Sequence, residues 1–267
     1  MDETYFREYT LERYTVGDNN KNYQKPTFKL DGPKPSDVFN KRLSITNINL
    51  KSIDKLPENH PAVEYIKSRK IPQERWNEIF HHDAFKDFMD SCFPNHGKTD
   101  IPNDSRVILF YTNEKGEITN VAGRALGDSK IRYITIKVTD EKKLFGLHRL
   151  RSNETVYIME GQFDSFFVPN SVASGDSNLV GVPGFLSNYE CTLIYDNEPR
   201  NKEIVKQISK AVENDMSIVL FPETIPYKDV NEMIINGMTQ NELMDIIRDN
   251  TFQGLSAKLR FVEWKKC

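Results

Sequence analysis

Acidic residues follow three of the predicted strands, at or beyond the point where each strand ends. They are Glu160, Asp196, Glu198 and Asp229. Because the carboxyl ends of parallel strands meet at one crevice, we expect these side chains to lie close together. Hard cations such as Mg²⁺ prefer oxygen ligands, and are often held by only one or two carboxylates plus substrate phosphates. The set therefore predicts a site for Mg²⁺ or Mn²⁺, supported by Asp164, one helical turn beyond Glu160.

The same acids have a simpler explanation when each is considered alone. Carboxylates are common in loops and at helix N-termini, where they cap the helix and complement its dipole. The composition of the whole region favours a shared role, because residues 152–235 contain 13 acidic and five basic side chains, a net charge of −8. Acids gathered this densely repel one another unless they share a cation.

A basic stretch precedes the acidic region. Residues 124–151 contain eight basic and three acidic side chains, a net charge of +5. Lys130 and Arg132 are two positions apart, so on a strand they share one face, with Tyr133 on the other. Such a surface attracts phosphates by charge and nucleic-acid bases by stacking. A basic surface that is solvated, or paired with neighbouring acids, is the alternative.

The residues upstream of the acids predict helices and then an antiparallel sheet. Apolar spacing predicts helices at 61–70 and 73–80, the first with a proline in its first turn. Segments at 106–111 and 118–122, joined by an Asn-Glu-Lys-Gly turn, predict a β-hairpin, and 131–138 predicts a further strand. We therefore expect a mixed α/β subdomain built on a mainly antiparallel sheet.

From residue 155 onward the predicted strands alternate with helices, which is typical of a parallel α/β sheet. The strands are at 155–159, 191–195 and 217–221, and helices are expected from Asp164, along 204–212 and after Thr239. The last helix opens with the capping box Thr239-x-x-Glu242. The expected fold class is α+β or α/β, in which the acidic region forms a Rossmann-like, mainly parallel domain.

The N-terminal part differs in composition from the rest of the chain. Residues 5–14 predict a short helix, and residues 17–37, with three prolines and few large apolar groups, indicate a linker. We expect four segments, namely 1–50 as the N-terminal helix and linker, 51–151 as the basic subdomain, 152–236 as the parallel-sheet domain and 237–267 as a helical tail.

The overall composition argues against several classes of protein. The 267 residues carry a net charge of −3, which disfavours a uniformly basic nucleic-acid coat protein. No apolar run approaches the roughly 20 residues of a membrane span, and the N-terminus lacks a secretory signal, so we expect a cytoplasmic protein without a membrane partner. The cysteines Cys92, Cys191 and Cys267 form no CxxC pair, so we expect no zinc site in this chain.

Short motifs around the acids resemble those of the Toprim fold, a catalytic module of primases, topoisomerases and some nucleases. They are EGxxD at 160–164, DNE at 196–198 and KDVNE at 228–232. The upstream series resembles the basic subdomain that precedes Toprim in bacterial-type DNA primases. It consists of KGEI at 115–118, AGRAL at 122–126, IRYIT at 131–135 and KLFGL at 143–147.

The primases of large tailed bacteriophages are more similar still, over nearly the whole chain. The shared motifs are the start at Tyr5 to Tyr9, His60-Pro61, DNEPR at 196–200, KDVN at 228–231 and QGLxAKxR at 253–260. The resemblance implies RNA primer synthesis on single-stranded DNA from ribonucleoside triphosphates during phage DNA replication. It also implies a replicative helicase as a partner.

The same resemblance implies roles for individual residues. Catalytic roles fall to Glu160, Asp164, Asp196, Glu198 and Asp229, of which all but Asp164 are implied metal ligands. Contacts with nucleic acid or nucleotide fall to Arg124, Lys130, Arg132, Lys143 and Arg200. Asn231 stands where bacterial relatives have an acid, so it is not expected to bind metal.

One departure from the family concerns zinc. Primases of this kind normally begin with a cysteine-rich zinc ribbon that helps to read the template, and this sequence lacks such cysteines. The ribbon therefore lies on another polypeptide, or was lost or trimmed, and we expect this chain alone to prime weakly with relaxed choice of start site. Two other functions stay open, a metal-dependent Toprim nuclease and a non-catalytic replisome adaptor.

Overall fold

The computed structural model of the protein describes residues 42–267, so the predicted helix at 5–14 and the linker at 17–37 lie outside the described residues. Within residues 42–267 the chain forms nine β-strands in two sheets. The strands are β1 (Ile79–His82), β2 (Arg106–Thr112), β3 (Ile118–Ala125), β4 (Tyr133–Lys137), β5 (Val156–Met159), β6 (Ser171–Ala173), β7 (Cys191–Ile194), β8 (Ser217–Val219) and β9 (Thr251–Phe252).

The same residues form six α-helices, joined by short 3-10 turns. The helices are α1 (Pro61–Ser68), α2 (Phe85–Cys92), α3 (Lys202–Glu213), α4 (Val230–Ile235), α5 (Gln240–Asp249) and α6 (Gly254–Trp264). The capping box predicted at Thr239 is confirmed. The Thr239 hydroxyl accepts a hydrogen bond from the backbone N–H of Glu242, and the Glu242 carboxylate accepts one from the backbone N–H of Thr239. No helix in the described part of the chain is long and apolar enough to cross a membrane.

The first sheet has the strand order β1-β2-β3-β4 and is antiparallel throughout. The predicted hairpin is confirmed as β2 and β3. Its turn begins at Asn113, whose Oδ1 accepts hydrogen bonds from the backbone N–H groups of Lys115 and Glu117, each at 3.0 Å. Gly116 has a φ of +75°, which a residue with a side chain rarely adopts. Helix α2 packs on this sheet and buries Phe85 and other apolar side chains.

The helix predicted at 73–80 is wrong in its final part. Residues Gln73–Glu78 form a 3-10 helix, but the chain then enters β1, which pairs with β2 from Ile79↔Leu109 to His82↔Arg106. Ile79 and Phe80 are both buried by this pairing. Because the partner strand β2 is distant in sequence, the apolar spacing within 73–80 could not reveal the pairing that makes 79–82 a strand.

The second sheet has the order β6-β5-β7-β8-β9, and only β9 runs antiparallel to its neighbour. The mainly parallel sheet and its three central strands are therefore confirmed. The helix expected from Asp164 is wrong, because Asp164–Phe166 forms a single 3-10 turn and the chain then becomes β6. Phe166, Phe167 and Val168 are all buried, so this segment has no polar face to present as a helix would.

Successive residues of the parallel strands face opposite layers, as the period of a strand requires. Ile158 and Leu193 face a layer that contains α3 and α6, and bury against Ala211 and Phe261. Met159, Ile194 and Val219 face the other layer, which contains α4 and α5. The acids that follow these strands therefore emerge at the edge between two covered faces.

A single apolar cluster joins the two sheets. It extends from Val107 and Leu109 of β2 to Met159 of β5. The Arg149 guanidinium lies in this junction, 5.0 Å from the ring centre of Phe145, and burial lowers the pKa of Arg149 to about 10. The junction brings the β3–β4 face of the first sheet opposite the carboxyl end of β5.

Candidate active site

A cleft of about 300 Å³ lies between the antiparallel sheet and the carboxyl end of β5. The wall formed by the first sheet includes Arg124, Tyr133 and Thr135. The opposite wall includes Glu160, Gln162 and Gly175. The cleft therefore has a cationic and aromatic side facing an acidic side, which is the division that the charge of the sequence suggests.

Glu160 is the first residue after β5 and is partly buried. Its backbone carbonyl accepts a hydrogen bond from the N–H of Gly175 at 3.0 Å, which fixes the end of the strand. Burial raises the pKa of the Glu160 carboxyl, and the charges of Asp176 and Glu198 raise it further. A cation in the cleft would relieve both effects.

Gly161 makes room for the carboxylate of Asp164. A Cβ added to Gly161 would collide with Oδ2 of Asp164, so no other residue fits without moving that acid. The second oxygen, Oδ1, accepts a hydrogen bond from the backbone N–H of Asn231 at 2.8 Å. Burial raises the pKa of Asp164, and the neighbouring Asp229 adds to the effect. Through the hydrogen bond between Asp164 and Asn231, the EGxxD motif thus holds the end of β5 next to the start of α4.

Asp196 and Glu198 follow β7 and share one cation. The Nζ of Lys228 lies 3.7 Å from Oδ2 of Asp196 and 3.5 Å from Oε2 of Glu198. Burial, together with the charges of Asp164 and other acids, raises the pKa of Asp196 to about 7. Burial would lower the pKa of Lys228, but the Asp196 and Glu198 carboxylates outweigh it and raise that pKa.

Lys228 is a residue of the site for which no role was expected from the sequence. The signal that could have found it is its position directly before Asp229, at the end of a loop that the other acids approach.

Asp229 is the N-cap of α4, and its Oδ1 accepts the backbone N–H of Glu232 at 2.7 Å. The capping explanation therefore applies to this acid. Its charge still acts on the site, because it raises the pKa of both Asp164 and Asp196. Asp229 thus has two effects, because it caps α4 and its charge acts on the neighbouring acids.

Asn231 is buried and pairs twice with Arg69, the residue that follows α1. Its Oδ1 accepts a hydrogen bond from the Arg69 guanidinium, and its Nδ2 donates to the Arg69 carbonyl, both at 2.8 Å. Both polar ends of the Asn231 side chain are therefore engaged within the protein. Arg69 also lies over the rings of Tyr65 and Phe163. Nothing in the local sequence signalled this role, since the two partners are 162 positions apart.

Arg124 and Lys143 lie at the cleft. The Arg124 guanidinium lies 4.2 Å from the ring centre of Tyr133, and its Nε is buried without a hydrogen-bond partner in the described residues. Lys143 donates to the carbonyl of Gly175 at 3.1 Å and pairs with Asp176 at 3.2 Å. These two cations therefore flank the acidic edge from the side of the first sheet.

Three other predicted contacts lie elsewhere. Lys130 and Arg132 are exposed in the loop before β4, so the expectation that they share a strand face opposite Tyr133 is wrong. The strand starts only at Tyr133, where it pairs with Arg124. Arg200 is exposed and lines a different cavity, of about 460 Å³, beside Trp264.

The acids gather at one edge without forming a closed coordination shell. No group of three or more His, Cys, Asp or Glu side chains within residues 42–267 is arranged as a metal site by itself. Mg²⁺ keeps several waters and relies on substrate phosphates, so it does not need a closed shell of protein carboxylates. The raised pKa values of Glu160 and Asp196 show that negative charge is unfavourable there, and a bound cation would offset this cost.

The chain is similar in sequence to a DNA primase of a bacteriophage. No model of a known protein family matches the chain. The DNA primase of Enterobacteria phage T4 is 34% identical over 221 residues, an alignment that spans 80% of this chain and 63% of that protein. The chain thus spans less than two thirds of the length of this relative.

Solved structures with the same fold are primase catalytic domains. The DnaG primase catalytic domain bound to ssDNA has a TM-score of 0.59 at 15% identity, over 77% of this chain and 76% of that one. A DNA primase domain from Pseudomonas aeruginosa has a TM-score of 0.58 at 16% identity, over 74% of both chains. The described residues therefore have the predicted fold, and the chain is similar in sequence to a phage DNA primase.

Proposed function

We propose that the protein is a DNA primase, which synthesises short RNA primers on single-stranded DNA by nucleotidyl transfer. One observation carries the proposal. In a chain similar to a phage primase, the carboxylates of Glu160 and Asp196 gather at the edge of a parallel sheet, and Arg124 faces Glu160 across a cleft of about 300 Å³. Two opposed charges of this kind suit a reaction between a polyanion and a metal-bound phosphate.

The acids would hold divalent metal. Glu160, Asp196 and Glu198 would supply Mg²⁺ or Mn²⁺ ligands, and Asp229 would add a ligand or its charge. Bound metal would stabilise the attacking 3′ oxygen and the leaving pyrophosphate. Asp164, which is held by the N–H of Asn231, would keep these loops in register. Lys228 would leave its position between Asp196 and Glu198 when metal binds, because both would compete for the same oxygens.

The basic side of the cleft would bind the polyanionic substrates. Arg124 has a buried donor with no partner in the described residues, and would meet a phosphate of the ribonucleoside triphosphate or template. Lys143 would act beside it, and the exposed Lys130 and Arg132 would contact nucleic acid at longer range. Arg200, outside the cleft, would contact nucleic acid or nucleotide that extends past Glu198.

As a primase, the protein would have the following domain organisation and partners. The basic subdomain would span 51–151 and the Toprim domain 152–236, preceded by 1–50 and followed by the tail at 237–267. A replicative helicase, and a zinc ribbon on a separate polypeptide, would complete the priming machinery. The protein would act in the cytoplasm of an infected bacterium.

The deciding experiment is a template-dependent assay with single-stranded DNA, ribonucleotides and Mg²⁺. We expect Glu160→Gln and Asp196→Asn each to lower primer synthesis at least about 100-fold, the scale of losing one group that stabilises transition-state charge. The matched control is Glu213→Gln, which changes an exposed acid at the end of α3 and should leave synthesis unchanged.

Two further measurements on the Glu160→Gln protein separate the other two functions, namely cutting of DNA without nucleotides and support of replication. Cutting of DNA in Mg²⁺ without nucleotides, lost in Glu160→Gln, would identify a nuclease. Unchanged support of replication by Glu160→Gln would identify an adaptor, because an adaptor needs no metal-binding acid. Either result would contradict the primase assignment.

A further inference from the structure

The residues of β3 and β4 on one face of the sheet form a continuous strip that starts in the cleft. Cross-strand pairing places Arg124 beside Tyr133, then Ala122 beside Thr135, then Asn120 beside Lys137. Alternate residues of a strand share a face, so these three pairs lie on one side of the sheet. The distance from Tyr133 to Lys137 along the strand is about 13 Å. The strip therefore leads away from Glu160 to a second groove.

This second groove, of about 510 Å³, is lined by Asn120, Thr135, Lys137, Lys142, Lys143 and Phe185 among others. Thr135 lines both the groove and the active-site cleft. Lys143 also joins them, since it lines the groove and hydrogen-bonds Gly175 of the cleft. The two spaces are thus neighbours along one surface.

Phe185 is the aromatic side chain of this groove. It lies in the short 3-10 helix Pro183–Phe185 and is 61% exposed, which is unusual for so large an apolar group. The Nζ of Lys142 lies 5.0 Å from the centre of its ring. An exposed ring beside a cation is the arrangement that binds single-stranded nucleic acid, with a base on the ring and a phosphate on the cation.

The charges of the groove also favour a polyanion. Asp140 and Glu141 line it, but Asp140 is paired with Lys137 at 2.7 Å and Glu141 with Arg42 at 3.1 Å. Lys142 has no carboxylate within ion-pair distance in residues 42–267, so its charge is available to a ligand.

A buried amide lies at the floor of the groove. Asn120 is only 4% exposed, and its Oδ1 has no hydrogen-bond partner within the described residues. A buried acceptor without a partner is costly, so it points to a donor that arrives with a ligand. The exocyclic amino group of a nucleobase is such a donor.

We propose that the single-stranded template runs from the cleft along the β3–β4 strip into this groove, where Phe185 stacks on one of its bases. This track rests on the proposed function, because it supplies the template to Glu160 and its neighbours. Lys142 contacts a phosphate of the same strand, and Asn120 accepts a hydrogen bond from a base.

The test measures binding of the full chain, without nucleotides or metal, to a fluorescein-labelled oligodeoxycytidylate about 15 nucleotides long, by fluorescence anisotropy. Phe185→Ala should raise the Kd about five- to 150-fold, the range for loss of one base–aromatic stack. Phe185→Trp keeps an aromatic face and should bind as the wild type does. Leu255→Ala is the matched control, since it truncates an apolar side chain of α6 that is 72% exposed.

Lys142→Ala gives an independent readout. The slope of log affinity against log salt should fall by about 0.7, the contribution of one phosphate contact to a single strand. Wild-type Kd for Phe185→Ala, an unchanged slope for Lys142→Ala, or no DNA binding by the wild-type chain would each overturn the track.

Failure of the track and failure of the proposed function are distinguishable. Binding of the oligonucleotide needs no catalysis, so it can be measured whether or not the chain makes primers. If Phe185→Ala weakens DNA binding but the wild-type protein makes no primers, the track is supported and the primase assignment is contradicted. If the wild-type protein makes primers but Phe185→Ala binds DNA normally, the assignment is supported and the track is contradicted.

Discussion

Replacing Asp196 with Asn should stabilise the protein when no metal is bound, in addition to the loss of primer synthesis expected from the proposed function. The pKa of this carboxyl rises from 3.8 to about 7, first because of burial and then because of neighbouring acids. The side chain is 23% exposed, so solvent screens it only in part. A shift of about three units, which already includes the opposing charge of Lys228, corresponds to about 4 kcal/mol, and solvent screening reduces the expected gain to about 2–4 kcal/mol.

The gain should depend on pH in a defined direction. Between pH 4 and pH 7 the folded wild type holds a proton on Asp196 that the unfolded chain has released. Wild-type stability therefore falls as pH rises through this interval and levels off above it, whereas the amide introduced by Asp196→Asn has no proton to lose. The advantage of the Asp196→Asn protein should be absent near pH 4 and largest above pH 7.

The measurement is urea unfolding in EDTA at several pH values, with thermal melts in parallel. For a chain of this size the gain corresponds to a rise in Tm of about 5–15 °C. Asp245→Asn is the control, because Asp245 is exposed and pairs only with the neighbouring Arg248 in the described structure. Saturating Mg²⁺ should narrow the gap, since it stabilises only the protein that binds it. A destabilised Asp196→Asn protein at pH 8, or a gap that is the same at pH 4 and pH 8, would refute the reasoning.

Two further substitutions test the supports of the acidic edge. Gly161→Ala should displace the Asp164 carboxylate from the Asn231 N–H, lower the free energy of unfolding by about 1–3 kcal/mol and reduce primer synthesis, measured beside Gly181→Ala, where an added methyl group meets nothing. Trp264→Phe keeps the packed ring but removes the 3.2 Å hydrogen bond to the side chain of Asn197, so urea unfolding should show a loss of about 1 kcal/mol, and equal stability would contradict that role.

The parts of the fold that the sequence predicts are those with local signals. The β2–β3 hairpin has its Asn-Glu-Lys-Gly turn, α5 has its capping box, and the parallel strands are short apolar runs. Strands β1, β6 and β9 escaped prediction because pairing with other strands fixes them and their own sequences carry no clear strand pattern.

The candidate site also contains some features that the sequence predicts and others that it does not. Its acids are visible in the sequence because each follows a strand, and the structure gathers them at one edge. The engagement of Arg69 with Asn231 and of Lys228 with Asp196 depends on tertiary contacts, which no spacing rule encodes. Loop conformation also escaped prediction, since Lys130 and Arg132 precede β4 and do not lie on it.

The hydrogen bond between Trp264 and Asn197 is one support of the acidic edge that can form only late in synthesis. Asn197 lies between Asp196 and Glu198, and its side chain holds the loop by donating to the carbonyls of Ile225 and Tyr227. Its remaining partner is 67 residues further along the chain. At about 5–20 residues per second, the ribosome needs about 3–13 s to add those residues. The loop that carries Asp196 and Glu198 therefore gains this hydrogen bond of the Asn197 side chain only after α6 has been translated.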